Sequence, residues 1–163
     1  MMEPVHERKR QAARVLLIHD NAVLLIEVVP ATSAAFWLTP GGALDRGETA
    51  RHAAARELRE ETGIVVAPAS LLGPVWRRVN HFEWDGELIH QRDDYFVARH
   101  DGITEAVLNN VDAVEAATNR SLRWWSIEEL VAARAELFVP ASLANDLRLL
   151  LHGPPETPQD AGA

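Results

Sequence analysis

Short runs of apolar residues separated by polar turns occupy the first third of the chain, a pattern typical of β-strands. The segments "ARVLLIHD" and "NAVLLIEVVP" predict two buried strands joined by a tight turn at Asp20-Asn21. A third apolar piece, "FWLTP", is stopped by Pro40 and the Gly41-Gly42 pair. We therefore expect this part of the chain to form several strands of one sheet.

A helical pattern follows at residues 49–62, which are rich in Ala, Arg, Glu and Leu, all strong helix formers. Gly63 then provides a helix stop. Beyond it, "LLGPVWRRVNHFEWDGELIHQRDDYFVARH" predicts a long hairpin with its turn at Asp85-Gly86. The segment "SLRWWS" predicts the last strand, whereas the mixed residues 101–120 carry no clear pattern.

Two helices are predicted after that last strand. Ser126 opens a capping box, Ser-Ile-Glu-Glu, which marks a helix start. A further helix fits "PASLANDLRLLLHG", with Pro140 near its start and Gly153 after its end. Because strands and helices are mixed along the chain, we expect an α/β fold in which helices pack on a sheet.

The expected domain organisation is simple. Residues 1–11 are expected to be a flexible N-terminus and residues 12–152 to form the folded domain. Residues 153–163, "GPPETPQDAGA", are polar and Pro-rich, and we expect a disordered tail there.

Composition narrows the function classes. Sixteen Lys and Arg against 24 Asp and Glu give a net charge of −8, which argues against charge-driven binding to a nucleic-acid polymer or an anionic membrane. The chain has no cysteine, so disulfides, thiolate zinc sites and cysteine nucleophiles are excluded. No long apolar segment predicts a signal peptide or a membrane span, and the cytoplasm is the expected location.

Three glutamates crowd one side of the predicted helix 49–62. At about 100° per residue, Glu57, Glu60 and Glu61 fall within an arc of roughly 100°, where like charges repel. The small residues Ala50 and Ala53 lie on the same side and leave it accessible. Two readings stand at this point: a solvated acidic face, or a site for a hard divalent cation such as Mg²⁺, which prefers carboxylate oxygens.

The residues around these glutamates resemble the Nudix box, the signature of the Nudix hydrolase family. The pattern is Gly, five residues, Glu, seven residues, Arg-Glu-aliphatic, one residue, Glu-Glu, one residue, Gly-aliphatic. Here it reads Gly42, Glu48, Arg56-Glu57-Leu58, Glu60-Glu61 and Gly63-Ile64, so every specified position matches. The resemblance implies the family's α/β/α sandwich, with a mixed β-sheet between helices.

The resemblance also implies an activity. Family members are metal-dependent pyrophosphohydrolases that cleave a nucleoside diphosphate linked to another moiety X, with water attacking phosphorus. By this likeness Glu57, Glu60 and Glu61, with the carbonyl of Gly42, would hold Mg²⁺ or Mn²⁺, and Arg56 would orient a glutamate. Which glutamate acts as the base is left open. The alternative is a catalytically inactive, Nudix-like nucleotide-binding or regulatory domain.

Candidates outside the box are weaker. Family members often recruit an acidic residue from the loop before the last strand, and Glu115 is our candidate for that catalytic role. Trp37 and Tyr95 are candidate base-stacking residues, and Arg77 and Arg78 candidate phosphate ligands, although packing or a solvated strand face explains each of them as well. The expected partner is a small nucleotide, with no nucleic-acid polymer and no membrane, and a homodimer is one open option.

Overall fold

A nine-stranded mixed sheet with helices on both faces organises residues 6–101 and 119–162, which the computed structural model describes. The strands are β1 (Glu7–His19), β2 (Ala22–Val28), β3 (Phe36–Leu38), β4 (Gly41–Ala43), β5 (Leu72–Trp84), β6 (Glu87–Arg99), β7 (Asn119–Ser126), β8 (Phe138–Val139) and β9 (Gln159–Asp160). The α-helices are α1 (Ala50–Thr62), α2 (Ile127–Ala132) and α3 (Leu143–His152), and Pro68–Ser70 form a 3₁₀ turn. The predicted α/β class is confirmed.

The long strand β1 lies in the middle of the sheet. It pairs in parallel with β6 from Glu7–Leu88 to Ile18–Arg99, and antiparallel with β2 and β4. The strand order is β8-β3-β2-β1-β6-β5-β9, and β7 pairs with β2. The hairpin predicted at Asp85-Gly86 is present as β5 and β6.

Side chains on the two faces of the sheet form two separate cores. On β1, Leu16 and Ile18 belong to the core that packs against α2 and α3. Val15 and Leu17, which alternate with them, pack against the apolar side of α1, where Leu58 is fully buried. The sheet is therefore covered on both sides, as a helix–sheet–helix sandwich requires.

Both ends of α1 follow from local chemistry. Thr49 is the N-cap, and its hydroxyl accepts a hydrogen bond from the backbone N–H of His52 at 3.2 Å. Gly63 ends the helix in the left-handed region at φ 75°, which favours glycine, and its N–H donates to the carbonyl of Arg59. The helix and its glycine stop, both predicted, are confirmed.

The capping box predicted at Ser126 is also present. Its hydroxyl accepts from the Glu129 N–H, and the Glu129 carboxylate accepts from the Ser126 N–H, each at 3.1 Å. The last helix starts at Leu143, three residues after Pro140, and ends at His152. No helix in the part of the chain described here is long and apolar enough to cross a membrane.

Strands extend beyond the predicted domain bounds at both ends. Residues 7–11, expected to be flexible, form the start of β1, because backbone pairing with β6 needs no apolar side chains. Within the predicted tail, β9 pairs in parallel with β5, and Ala161 is 1% exposed in the core. The segment "SLRWWS" is a strand, β7, but two short strands, β8 and β9, follow it.

Candidate active site

Two glycines on β4 bring backbone and carboxylates together. The Gly41 N–H donates to Oε2 of Glu61 at 3.1 Å. A Cβ on Gly42 would lie 2.6 Å from Oε1 of Glu57, closer than real Cβ contacts, so that carboxylate occupies the space a side chain would fill. The result is a cradle in which carboxylate oxygens, the ligands that hard divalent cations prefer, lie against the backbone of β4.

Arg56, in the middle of α1, holds the glutamates in position. Its guanidinium donates to both oxygens of Glu48 at 2.8 Å, to Glu57 at 2.9 Å and to Glu60 at 3.0 Å. It also donates to the carbonyl of Ala43 at 3.1 Å. One charged fork therefore fixes three carboxylates and connects α1 to the loop before it.

The ion pair between Arg56 and Glu48 shifts the pKa values of both groups. The hydrogen bond to Glu48 raises the pKa of Arg56 above its ordinary value. The hydrogen bond from Arg56 lowers the pKa of Glu48 in turn. Glu48 is therefore engaged as the ionised partner of Arg56, a positioning contact.

A cavity of about 750 Å³ lies beside this cradle, and Glu57 and Glu61 form part of its wall. Asp45, from the loop before α1, adds a third carboxylate to the lining. Glu60 is 30% exposed and hydrogen-bonds to Arg56. The three box glutamates are thus close in space, with Glu57 and Glu61 facing the cavity.

Arginines from three positions on two strands line the same cavity: Arg10, Arg14 and Arg78. They surround Asp93, which is 1% exposed and lies 3.4 Å from Nε of Arg14 and 3.8 Å from a terminal nitrogen of Arg78. Burial opposes the charge of Arg14, but Asp93 raises its pKa. Three guanidinium groups face one buried carboxylate, so this wall carries excess positive charge.

Two buried hydrogen-bond donors among the arginines of this wall have no partner in the described part of the chain. Burial, together with the charges of Arg14 and Arg8, lowers the pKa of Arg10. The buried Nε atoms of Arg10 and Arg78 have no hydrogen-bond partner among residues 6–101 and 119–162. Buried donors are normally paired, and both of these belong to arginines that line the cavity.

Aromatic rings complete the cavity. Phe36, Phe82 and Trp84 line it, and Trp84, near the hairpin turn, is 54% exposed. An exposed indole on the rim of a charged cavity is suited to stacking on a planar base.

Two of the predicted substrate residues lie elsewhere. Trp37 is buried in the core, its indole N–H donates to Glu136 at 3.1 Å, and its ring packs edge-on against Trp125. Tyr95 is 1% exposed, and burial raises its pKa to about 12. Neither residue lines the cavity, because both side chains point into the core beneath α2 and α3.

The two arginines that were predicted to bind phosphate lie on opposite faces of β5, because neighbouring side chains of a strand alternate between its faces. Arg78 lines the cavity, whereas Arg77 lies on the opposite face of β5 and pairs with Asp94 at 2.9 Å. Glu115, the predicted additional catalytic residue, lies outside the described residues, and its role stays a prediction.

The sequence did not point to Arg10 and Arg14. Arg10, Ala12 and Arg14 are spaced two residues apart along β1, and this period-two spacing could have placed the two arginines on one face. Their meeting with Arg78 depends on the parallel pairing of β1 with β6, whose register no local pattern specifies.

A sandwich carrying a carboxylate cradle beside a basic cavity defines a hydrolase of the Nudix class. The NUDIX domain profile matches residues 8–145, and the chain belongs to this family. Among solved structures, a MutT NUDIX hydrolase from Burkholderia pseudomallei is 25% identical, with a TM-score of 0.60 over 86% of this chain and 98% of that one.

Curated relatives carry more specific names. An RNA pyrophosphohydrolase from Cereibacter sphaeroides is 30% identical over 148 residues, which cover 81% of this chain and 85% of the relative. A human 8-oxo-dGDP phosphatase is 35% identical over 83 residues, covering 46% of this chain and 26% of that protein.

The relatives named for RNA contradict the expectation that a nucleic-acid polymer has no place among the partners. That expectation relied on the net charge of −8, which averages over the whole surface. A net charge does not report local concentrations of positive charge such as that at Arg10, Arg14 and Arg78.

Proposed function

We propose that the chain is a divalent-metal-dependent pyrophosphohydrolase that cleaves a phosphoric anhydride bond at the 5′ end of RNA. The observation that carries this proposal is the cavity itself, which is lined both by the carboxylates of Glu57 and Glu61 and by Arg10, Arg14 and Arg78. Such a lining suits a polyphosphate, whose charge would be met by guanidinium groups and by cations held on the carboxylates.

The metal would be held by the box residues. The carboxylates of Glu57 and Glu61, supported by Glu60 and the backbone of Gly41-Gly42, would bind Mg²⁺ or Mn²⁺. The close approach of the Glu57 carboxylate to Gly42 fits this role. When bound, such a cation neutralises phosphate charge and lowers the pKa of coordinated water.

The protein's own residues bind and orient the substrate. The guanidinium groups of Arg10 and Arg78, which line the cavity, contact phosphate oxygens. Phe82 and Trp84 stack on the bases that follow the 5′ phosphates.

Basic residues beside the main cavity favour a polymer over a free nucleotide. A second recess of about 400 Å³ is lined by Arg8, Lys9 and Arg10 together with the acidic Asp45 and Glu48, and it shares Arg10 and Asp45 with the main cavity. Backbone phosphates beyond the 5′ nucleotide would lie against these cations, whereas a free nucleotide has none to place there.

The reaction needs no covalent protein intermediate. Water attacks a phosphorus atom, the P–O bond of the anhydride breaks, and pyrophosphate leaves from an RNA that keeps a 5′ monophosphate. The proton of the water passes to a carboxylate, for which Glu57, Glu61 and Glu115 are the candidates.

The test is pyrophosphate release from a 5′-triphosphorylated RNA oligonucleotide by the full chain, compared with free GTP, 8-oxo-dGTP and a dinucleoside polyphosphate. We expect the RNA to have the highest kcat/KM, with activity lost after chelation and restored by Mg²⁺ or Mn²⁺. Hydrolysis of free nucleotides with RNA untouched would overturn the RNA assignment, and full turnover after thorough chelation would overturn the metal requirement.

The adjacent arginines of β5 provide a matched pair of variants. Arg78→Gln removes a cavity guanidinium and should raise KM for the RNA roughly tenfold or more, the scale of a lost charged hydrogen bond. Arg77→Gln removes the same charge from the opposite face and should leave KM unchanged. Equal effects of the two variants would show that the cavity does not select the phosphates.

A further inference from the structure

A second group of metal-ligating side chains lies on the face of β5 and β6 opposite the cavity. It consists of Glu7, at the start of β1, with His81 and His90 from the hairpin. His81 and His90 are directly opposite each other in the β5–β6 register. By strand alternation, His81 projects from the face opposite its neighbour Phe82, which lines the cavity.

The spacing of the three ligand atoms matches a small metal ion. Nε2 of His81 lies 3.1 Å from Nδ1 of His90, and that Nδ1 lies 3.2 Å from Oε1 of Glu7. All three atoms are within 4.8 Å of one another. Ligands about 2.0–2.1 Å from a tetrahedral Zn²⁺ are roughly 3.3 Å apart, so an ion fits between these atoms with little movement.

Hydrogen bonding alone does not satisfy this arrangement. Nδ1 of His90 carries at most one hydrogen, which lies in the plane of its ring. It therefore makes a single linear hydrogen bond, either donating to Glu7 or accepting from His81. A metal ion would use the lone pairs of all three atoms at once.

We propose that Glu7, His81 and His90 form a binding site for a transition-metal ion, with Zn²⁺ as the best match. Two imidazoles and one carboxylate are a ligand set that Zn²⁺ accepts, with water in the fourth position. Imidazole favours Zn²⁺ over Mg²⁺, which separates this site from the carboxylate cradle of the active site.

The charges around the site are mixed. Lys9 pairs with His90 in the β1–β6 register and shares its face, and Glu83 lies two residues beyond His81 on the same face. Lys9 is exposed, so its flexible side chain can keep the ammonium group in water, away from the ion.

Bound metal would cross-link distant parts of the chain. Glu7 is 83 residues from His90 in sequence, so the ion would fasten the start of the central strand to the hairpin. The other face of that hairpin carries Phe82 and Trp84, and the site would therefore hold those rings in place.

The test is a calorimetric titration of the full chain, stripped of metals, with Zn²⁺ alone as the probe and millimolar Mg²⁺ present to occupy the carboxylate cradle. We expect one Zn²⁺ per chain. His81→Gln and His90→Gln should each weaken binding by roughly a hundredfold, at or above the loss seen for outer-shell partners. His152→Gln, which removes an exposed histidine at the end of α3, is the matched control.

Co²⁺ provides an independent readout, because its visible spectrum reports nitrogen ligands. The wild-type chain and Glu61→Gln should give the same spectrum, and the His81→Gln His90→Gln double variant should lose it while keeping the metal-free melting temperature. Zn²⁺ binding that is unchanged in this double variant, or that is lost only in Glu61→Gln, would overturn the proposal.

Discussion

At the scale of the residue, the site depends on two glycines, Gly41 and Gly42, whose lack of a side chain leaves room for a carboxylate of α1 and for the neighbouring strand β1. The Glu57 carboxylate lies where a Cβ of residue 42 would be, and the Gly41 N–H binds Glu61. Gly41 is also restricted on its other side, where a Cβ would lie 2.3 Å from the carbonyl oxygen of Ala13. Two adjacent glycines therefore let the helix carboxylates approach the backbone of β4.

Gly42→Ala should reduce activity roughly a hundredfold while the protein stays folded. The added methyl must displace the Glu57 carboxylate by about an ångström, a misplacement that costs roughly a hundredfold in rate. The cost of overpacking is about 1–3 kcal/mol. Metal-dependent pyrophosphate release and urea denaturation measure the two effects.

Gly153→Ala is the control, because no atom of residues 6–101 and 119–162 beyond its chain neighbours lies within 4 Å of a Cβ at that position. It should change neither quantity. Normal kinetics in Gly42→Ala would mean that the carboxylate position near Gly42 is not needed for turnover.

Residues of the site differed sharply in how far sequence could locate them. The box glutamates and Arg56 are local in sequence, and a single helix brings them together. Arg10, Arg14 and Arg78 come from strands paired over long distances, so only the tertiary structure shows that they share a wall. Trp37 and Tyr95 were misplaced because an aromatic residue in a strand faces core or cavity according to register.

At the scale of the element, α1 is tied to the loop before it by ion pairs of Arg56, of which the shortest is with Glu48. Glu48 accepts from Arg56 at 2.8 Å through both oxygens, and it also accepts from the backbone N–H of Asp45. The loop cannot move without breaking these charge-assisted hydrogen bonds, so it sets the position of the glutamates that follow it.

This ion pair makes stability depend on pH in a defined window. The pKa of Glu48 is held below its ordinary value of 4.5 in the folded state, so its contribution is complete above that pH. The contribution is lost as the pH falls through the lower, folded pKa. Glu48→Gln should therefore destabilise the protein at pH 7 by about 1.5–3 kcal/mol and show a smaller further loss below pH 4.5.

Urea denaturation as a function of pH checks this, with Glu156→Gln as an exposed-glutamate control. Parallel pH curves for wild type and Glu48→Gln would show that Glu48 does not contribute to the acid dependence.

Most helices and long strands were predictable because their signals are local. Thr49, Gly63 and the Ser126 box mark helix ends by side-chain chemistry, and Asp85-Gly86 marks the hairpin. The two-residue strands β8 and β9 were not predictable, since so short a strand has no period and is defined only by its partner.

At the scale of the whole molecule, the C-terminal segment covers part of one edge of the sheet. β9 pairs with β5, the Ala161 N–H donates to the carbonyl of Arg77 at 3.1 Å, and Ala161 packs into the core beneath α3. A segment that reads as a disordered tail thus covers apolar side chains and an open strand edge.

Ala161→Asp should lower the free energy of unfolding by at least about 2 kcal/mol, because it places a carboxylate in an apolar site. Gln159→Asp adds the same charge at an exposed position of the same segment and should change stability by less than about 0.5 kcal/mol. Thermal and urea denaturation measure both variants. Similar stabilities for the two would mean that the segment is not packed against the core in solution.

The central position of β1 has a consequence for how the chain folds while it is being synthesised. Its long partner, β6, ends at Arg99, so in a nascent chain the edge of β1 at Val15, Leu16 and Leu17 that faces β6 stays open for some eighty residues of further synthesis. Contacts so distant in sequence are slow to form, and an open strand edge is prone to join other chains. Cotranslational chaperone demand, rather than final stability, is therefore expected to limit the yield of this protein when it is overproduced.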